Sequence, residues 1–355
     1  LWLIQSVSYS RGYGLMKRLV VCCDGTWNGL SGEYPTNVRK LSQAIKTADP
    51  AGISQLVYYQ EGLGTKWYDR WVGGILGWGI DDHITEAYRF LCANYEPGDE
   101  IYCFGFSRGA YTVRSLVGFI YCSGLLNPSN LHKIPEAYRL YRDREIRPSN
   151  PIAEAFRKEF GDRVPIAVLG CWDTVGSLGI PDLVPLVPFD RLVNKKYQFH
   201  DTKLSAIIQR AFHSMAIDEP RRSFVVTHMQ QSDKNPGQVI REVWFPGTHG
   251  CVGGGTVANR GLSDGTLQWM MEQVTESGLN LAFDFSHLKN GIVLDPLIDF
   301  DNRVGIFILA GVKDREIEGD IDDLHRSVQK RWCDRKDYRP KNLKALTDKL
   351  DAACS

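Results

Sequence analysis

Gly105-Phe106-Ser107-Arg108-Gly109 places a serine with a glycine two positions away on either side. A serine hydroxyl can act as a nucleophile when a strained strand-to-helix turn lifts it above a sheet. The N–H of the next residue, here Arg108, then lies at a helix start and helps bind an oxyanion. The glycines keep side chains out of that tight turn. Glycine and serine are common, so the five residues alone are a weak signal; the context strengthens it. EIYCFGF (100–106) reads as a strand and the residues from Arg108 onward as an amphipathic helix, the setting such a turn requires. The competing reading is a structural turn with no chemistry.

The hydroxyl needs a base to take its proton, and the base needs an orienting carboxylate. Where a strand–serine–helix turn carries this chemistry, the chain order is serine, acid, histidine. Asp173 stands where the strand VPIAVLGCW (164–172) ends, at the carboxyl edge where parallel sheets build their sites. It could instead cap a turn. Of the histidines downstream, His249 lies in the glycine-rich WFPGTHGCVGGG just after a strand, able to approach another backbone closely. His213 falls in a stretch of helical spacing and is expected to be structural.

CCDGTWN leaves the first strand at its carboxyl end, so Asp24, Gly25 and Thr26 are candidates for a second oxyanion donor. A plain turn competes with this reading. An aspartyl-phosphate chemistry on Asp24 does not fit, because the second aspartate it needs two residues on is missing. Two apolar but irregular segments are expected to cover the site. One is 64–80, with Trp67, Trp71 and Trp78, and the other is 179–193, with Leu183. As walls of an acyl pocket they would select a hydrophobic chain; otherwise they pack on the core.

These residues need a frame. RLVVCC (18–23) is a continuous apolar run, as in a strand buried on both faces. Residues 36–45 have helical spacing with Thr36 as a cap, QLVYYQ (55–60) reads as a strand, and 81–95 as a helix. Residues 203–216 read as a helix, VIREVWF (239–245) as a strand, and 262–277 as a helix. Such alternation implies a three-layer α/β sandwich, a mainly parallel sheet with helices on both faces. The segment 180–202, with Pro181, Pro185 and Pro188, is loop-like. The expected organisation is a non-native or disordered leader over 1–15, a catalytic domain over 16–280 and a C-terminal extension over 281–355.

The chain has 355 residues, and its 42 basic and 42 acidic side chains cancel, which argues against a nucleic-acid partner. RKDYRPKNLK (335–344) is a local basic patch, read as a solvated surface segment. Nine cysteines without a C-x-x-C pair argue against a disulfide framework and for a reducing compartment. No apolar run approaches the roughly 18 residues that span a bilayer, and no signal peptide is visible. The expectation is a cytoplasmic protein, or one secreted without a signal peptide. No cofactor or metal is called for.

Taken together, VVCCDGTWN, TNVRKL, GFSRGAYTVRSLVGFI, CWDTVGSLGIP, AFHSMAIDEPRRSF and the WFPGTHG loop resemble a family of α/β hydrolases that includes the phospholipase effectors of bacterial type VI secretion. The resemblance covers roughly residues 17–275. It implies an α/β-hydrolase fold and an esterase, lipase or phospholipase activity, with Ser107 as nucleophile, Asp173 as acid and His249 as base. It also implies an acyl-ester or phospholipid substrate, transient contact with a membrane surface, and a secretion-system or immunity partner. His213, Asp218, Glu219, Arg221 and Arg222 match a family segment expected to be structural. The family's histidine loop reads H-S-D-V-G-G-G, and here Gly250 and Cys251 replace the Ser and Asp. A function of another class, a non-catalytic hydrolase-fold module that binds a lipid or protein, is the alternative; reaction of Ser107 with a fluorophosphonate separates the two.

Overall fold

In this computed structural model the described residues are 16–25, 34–62, 79–175, 203–288, 291–301 and 311–354. Thr26, Trp67, Trp71, Trp78 and Leu183, the leader over 1–15 and nearly all of the two expected cover segments lie outside them.

Six strands form one sheet: β1 (Arg18–Cys23), β2 (Gln55–Gln60), β3 (Glu100–Phe106), β4 (Ile166–Trp172), β5 (Ile208–Ala216) and β6 (Val239–Phe245). Their spatial order is β2-β1-β3-β4-β5-β6, and every neighbouring pair is parallel. Every residue of β1 and β4 is buried, which is why both sequences run apolar without alternation. The chain goes outward from β1 to β2 and then returns to the other side of β1 for β3. That reversal opens a crevice between the carboxyl ends of β1 and β3, the place where open parallel sheets bind ligands.

Helices cover both faces. Helices α2 (Ile80–Asn94), α3 (Arg108–Ser123), α4 (Ile134–Arg142) and α5 (Pro151–Phe160) pack into one core with Leu19, Val21, Ile101 and Leu169 of the sheet. The opposite core joins α1 (Asn37–Ala44) and α7 (Arg260–Glu276) to Val20, Phe104, Trp172 and Phe245. Between β6 and α7 lies the short helix α6 (His249–Gly253). Thr36 caps α1 as its sequence predicts, its hydroxyl accepting from the Arg39 N–H at 3.2 Å.

Two expectations need correction. Residues 208–216 form strand β5, not a helix. Ile208, Ala211 and Met215 have helical spacing, yet from Ala211 to Ala216 every residue is buried inside the sheet. Polar His213 and Ser214 interrupt the apolar run and hide the strand; His213 is tolerated there because Glu242 of β6 accepts from its Nδ1 at 2.7 Å. Second, Cys333 and Cys354 form a disulfide, whereas the other seven cysteines are buried thiols. Spacing alone does not announce such a pair.

The C-terminal residues are not a loose tail. Helices α8 (Arg326–Asp334) and α9 (Thr347–Ala352), with the 3-10 turn Lys341–Leu346 between them, bring Val328, Trp332, Leu343 and Leu350 against Met215, Ile217 and Trp244. The basic patch is tied down here: Arg335 bridges Asp299 and Asp337, and Tyr338 is buried. No helix among the described residues is long and apolar enough to cross a membrane.

Candidate active site

Ser107 links β3 to α3 with φ 56° and ψ −119°. Ser107 and Asp173 are the two non-glycine residues with positive φ among those described. Each such conformation costs about 1–3 kcal/mol and persists where the surroundings enforce it, commonly at functional sites. Both glycines of the pentapeptide are sterically required. A Cβ on Gly105 would lie 2.4 Å from the Gly109 carbonyl oxygen, and one on Gly109 would lie 2.0 Å from that of Cys23. The first turn of α3 is thus pressed against the end of β1. The Ser107 hydroxyl makes no capping bond to the helix. The Arg108 N–H sits in the first turn of α3, where the helix dipole favours negative charge. Desolvation lowers the Arg108 side-chain pKa to about 9.

The turn is joined directly to the next strand. The Ser107 N–H donates to the Trp172 carbonyl at 3.0 Å, one residue before Asp173, and the Asp173 N–H donates to Ser214 at 2.8 Å. Asp173 is fully buried at the end of β4, and its Oδ2 lies 2.6 Å from His249 Nδ1. Oδ1 accepts the Ala216 N–H at 2.9 Å. A sixth strand would be too far from β3 to bring His249 across the sheet by itself; the loop after β6 folds back instead. The His249 ring lies 4.6 Å from that of Phe106, the residue before Ser107, and 5.0 Å from that of Phe224. Burial lowers the His249 pKa, against the Asp173 carboxylate, which raises it. For Asp173, burial raises the pKa, but the Arg315 guanidinium and the His249 hydrogen bond outweigh it and hold the carboxyl well below its ordinary value.

The segment after β5 explains how the histidine loop is held. The Gly247 N–H donates to Asp218 Oδ2 at 2.6 Å, the Asp218 N–H donates to the Gly247 carbonyl at 3.0 Å, and the Tyr338 hydroxyl donates to Asp218 at 2.9 Å. Burial lifts the Asp218 pKa to about 6 despite these donors. Glu219 accepts the His249 N–H at 3.1 Å and pairs with Arg221. Burial would raise the Glu219 pKa, but Arg221 keeps it low. Asp218 and Glu219 thus hold the backbone on either side of Thr248. Cys251 is buried with its Sγ 3.5 Å from Thr248 Oγ1.

Other candidates sit differently. Asp24 accepts from the Thr36 and Tyr59 hydroxyls at 2.6 and 2.7 Å, and from the Gly25 N–H at 2.7 Å. Its carboxylate therefore ties the end of β1 to the cap of α1 and to β2, and it also takes the Gly25 N–H. Burial raises the Asp24 pKa to about 6, against those three donors. His213 Nε2 accepts the Thr174 N–H at 3.0 Å while Nδ1 faces Glu242, so neither ring nitrogen serves the Ser107 side. Sequence reasoning missed Arg315, which grips Asp173 from the C-terminal region; nothing local marks an arginine in an irregular segment.

The family model described as "T6SS, Phospholipase effector Tle1-like, catalytic domain" matches residues 17–273. An uncharacterized protein of Saccharomyces cerevisiae, YEL023C, is 32% identical over 244 residues, covering 62% of this chain and 34% of the yeast protein. The match thus spans about a third of that relative's length. Two solved structures resemble the chain at 19% identity. An uncharacterized protein from Pseudomonas aeruginosa has a TM-score of 0.43 and covers 75% of this chain and 46% of its own. The Tle1 effector bound to the VgrG spike from the type 6 secretion system has a TM-score of 0.36, with 68% and 51% covered.

Proposed function

This chain belongs to the family of Tle1-like phospholipase effectors through its catalytic domain, and from that premise we propose that it is a serine hydrolase of carboxylic esters, acting on lipid or acyl esters. The observation that carries the reading is the pairing of Asp173 with His249 at 2.6 Å, with the His249 ring 4.6 Å from that of Phe106, the residue before the strained Ser107.

In the proposed reaction His249 Nε2 removes the Ser107 proton as Oγ bonds to the ester carbonyl carbon. The carbonyl π electrons move to oxygen, and the Arg108 N–H stabilises that oxyanion. Asp173 holds the Nδ1–H tautomer and stabilises the imidazolium without taking its proton. The oxyanion then reforms the carbonyl, the alkoxide leaves with the proton from His249, and an acyl group remains on Ser107. Water repeats the sequence: His249 takes its proton as the water oxygen bonds to the acyl carbon, the acyl–Oγ bond then breaks as His249 returns the proton to Ser107 Oγ, and a carboxylic acid leaves.

A series of p-nitrophenyl esters tests the substrate class. Each methylene buried in an apolar pocket contributes about 0.8 kcal/mol, or about fourfold in kcat/KM. Rising kcat/KM with chain length, and release of fatty acid from phosphatidyl vesicles, supports the lipid reading. A preference for acetate over every longer chain sinks it and leaves the esterase. On the family description alone, we also propose a secretion-system partner, to be tested by binding to purified spike protein.

A further inference from the structure

Arg315 lies outside residues 17–273, in a stretch between helices, yet it is buried against the deepest carboxylate of the site. Its Nη1 donates to Asp173 Oδ1 at 2.6 Å and its Nη2 to Oδ2 at 2.8 Å. The same nitrogens donate to the Ala216 carbonyl at 2.8 Å and the Phe224 carbonyl at 2.7 Å. The guanidinium therefore joins β4, the end of β5 and the residue whose ring faces His249. Its own segment is fastened by backbone bonds: the Arg222 N–H donates to the Gly311 carbonyl at 3.2 Å and the Lys313 N–H to the Pro220 carbonyl at 3.0 Å.

Such a buried ion pair is a weak source of stability, because desolvation offsets most of the Coulomb gain. Its chemical effect on a neighbour is larger. Both oxygens of Asp173 now have two donors each, so the carboxylate cannot rotate away from His249. A bare buried aspartate beside an imidazole would also favour imidazolium, and a base that already holds its proton cannot take another.

We propose that Arg315 is a positioning residue of this site, whose two-pronged grip orients the Asp173 carboxylate toward His249 and offsets part of its charge, so that His249 rests as a neutral base. The proposal rests on the triad reading above. It makes the C-terminal segment through Arg315 a working part of the catalytic unit, beyond the boundary at residue 280 expected from sequence.

The groups facing His249 are Asp173 at the end of β4, Glu219 and Arg221 after β5, the rings of Phe106 and Phe224, and Arg315 through Asp173. Arg315 is no farther from His249 Nδ1 than two hydrogen bonds end to end. Removing its charge leaves Asp173 uncompensated, which favours imidazolium and raises the His249 pKa. A neutral base works above its pKa, so the acid limb of kcat/KM moves to higher pH.

The test uses the full chain as wild type, Arg315→Lys and Arg315→Met. His249 is titrated by imidazole ¹⁵N NMR, and the acid limb of ester hydrolysis is measured per fluorophosphonate-reactive site. In Arg315→Met both midpoints rise by about one unit or more. Arg315→Lys keeps the charge and loses the fork, so its midpoint stays near wild type while kcat falls. Identical midpoints in Met and wild type overturn the charge role, and an unchanged kcat in Lys overturns the positioning role. If Arg315→Met does not fold, Arg315→Gln replaces it with the same expected direction, and the Lys variant alone still decides positioning. A wild type that neither hydrolyses esters nor labels removes the triad reading, whereas the NMR titration still reports the effect of Arg315 on His249.

Discussion

Asp173→Asn changes one atom of the side chain and removes its charge. In the native site Oδ1 receives the Ala216 N–H and Arg315 Nη1, and Oδ2 receives His249 Nδ1 and Arg315 Nη2. Whichever way the carboxamide turns, its NH2 faces two donors where an acceptor stood. With the amide nitrogen toward His249, Nδ1 must become an acceptor; the proton moves to Nε2, and the base faces Ser107 already protonated. An asparagine in this setting is expected to lower kcat by about 10⁴-fold. Stability falls as well, because Arg315 stays buried without its counter-charge, a loss of about 3–5 kcal/mol. Urea unfolding followed by circular dichroism gives the stability, and p-nitrophenyl ester turnover per folded molecule gives the rate. A variant within tenfold of wild-type kcat and within about 1 kcal/mol of its stability would refute both the acid role of Asp173 and the importance of the Arg315 grip.

Gly109→Ala drives a Cβ into backbone atoms of Cys23 that cannot yield, so it should cost about 3 kcal/mol or more and shift the Ser107 turn; urea unfolding and fluorophosphonate labelling rate check both effects. His213→Ala leaves the Thr174 N–H and part of Glu242 unpaired, which should cost about 1–3 kcal/mol while turnover per labelled site stays within about tenfold. A catalytic loss in His213→Ala equal to that of His249→Ala would reassign the base. The depressed His249 pKa places the acid limb of kcat/KM below the ordinary imidazole value of about 6.5, and activity is lost as pH falls through it; a pH–rate profile in constant-ionic-strength buffer measures this.

The parts of the site legible in sequence share one property: each is written locally. Ser107 and Asp173 follow strands whose apolar runs are unbroken, and His249 opens the short helix α6 that follows β6. Strand β5 is not legible, because burial of His213 depends on Glu242 of β6 and on the Thr174 N–H just after β4. Arg315 was hidden for the same reason at longer range, since it meets a carboxylate 142 residues earlier through a segment with no periodicity. Asp24 illustrates a different limit. Its place at the end of β1 is readable, but the hydroxyls of Thr36 and Tyr59 that turn its carboxylate inward come from α1's cap and from β2.

Reaction with a fluorophosphonate probe decides whether Ser107 is an activated nucleophile. Intact-mass and peptide analysis of the labelled full chain should show one probe adduct per molecule on Ser107, none in Ser107→Ala, and labelling slowed by orders of magnitude in His249→Ala. Absence of label on Ser107 in a folded protein that hydrolyses esters, or wild-type turnover by Ser107→Ala, would contradict that role.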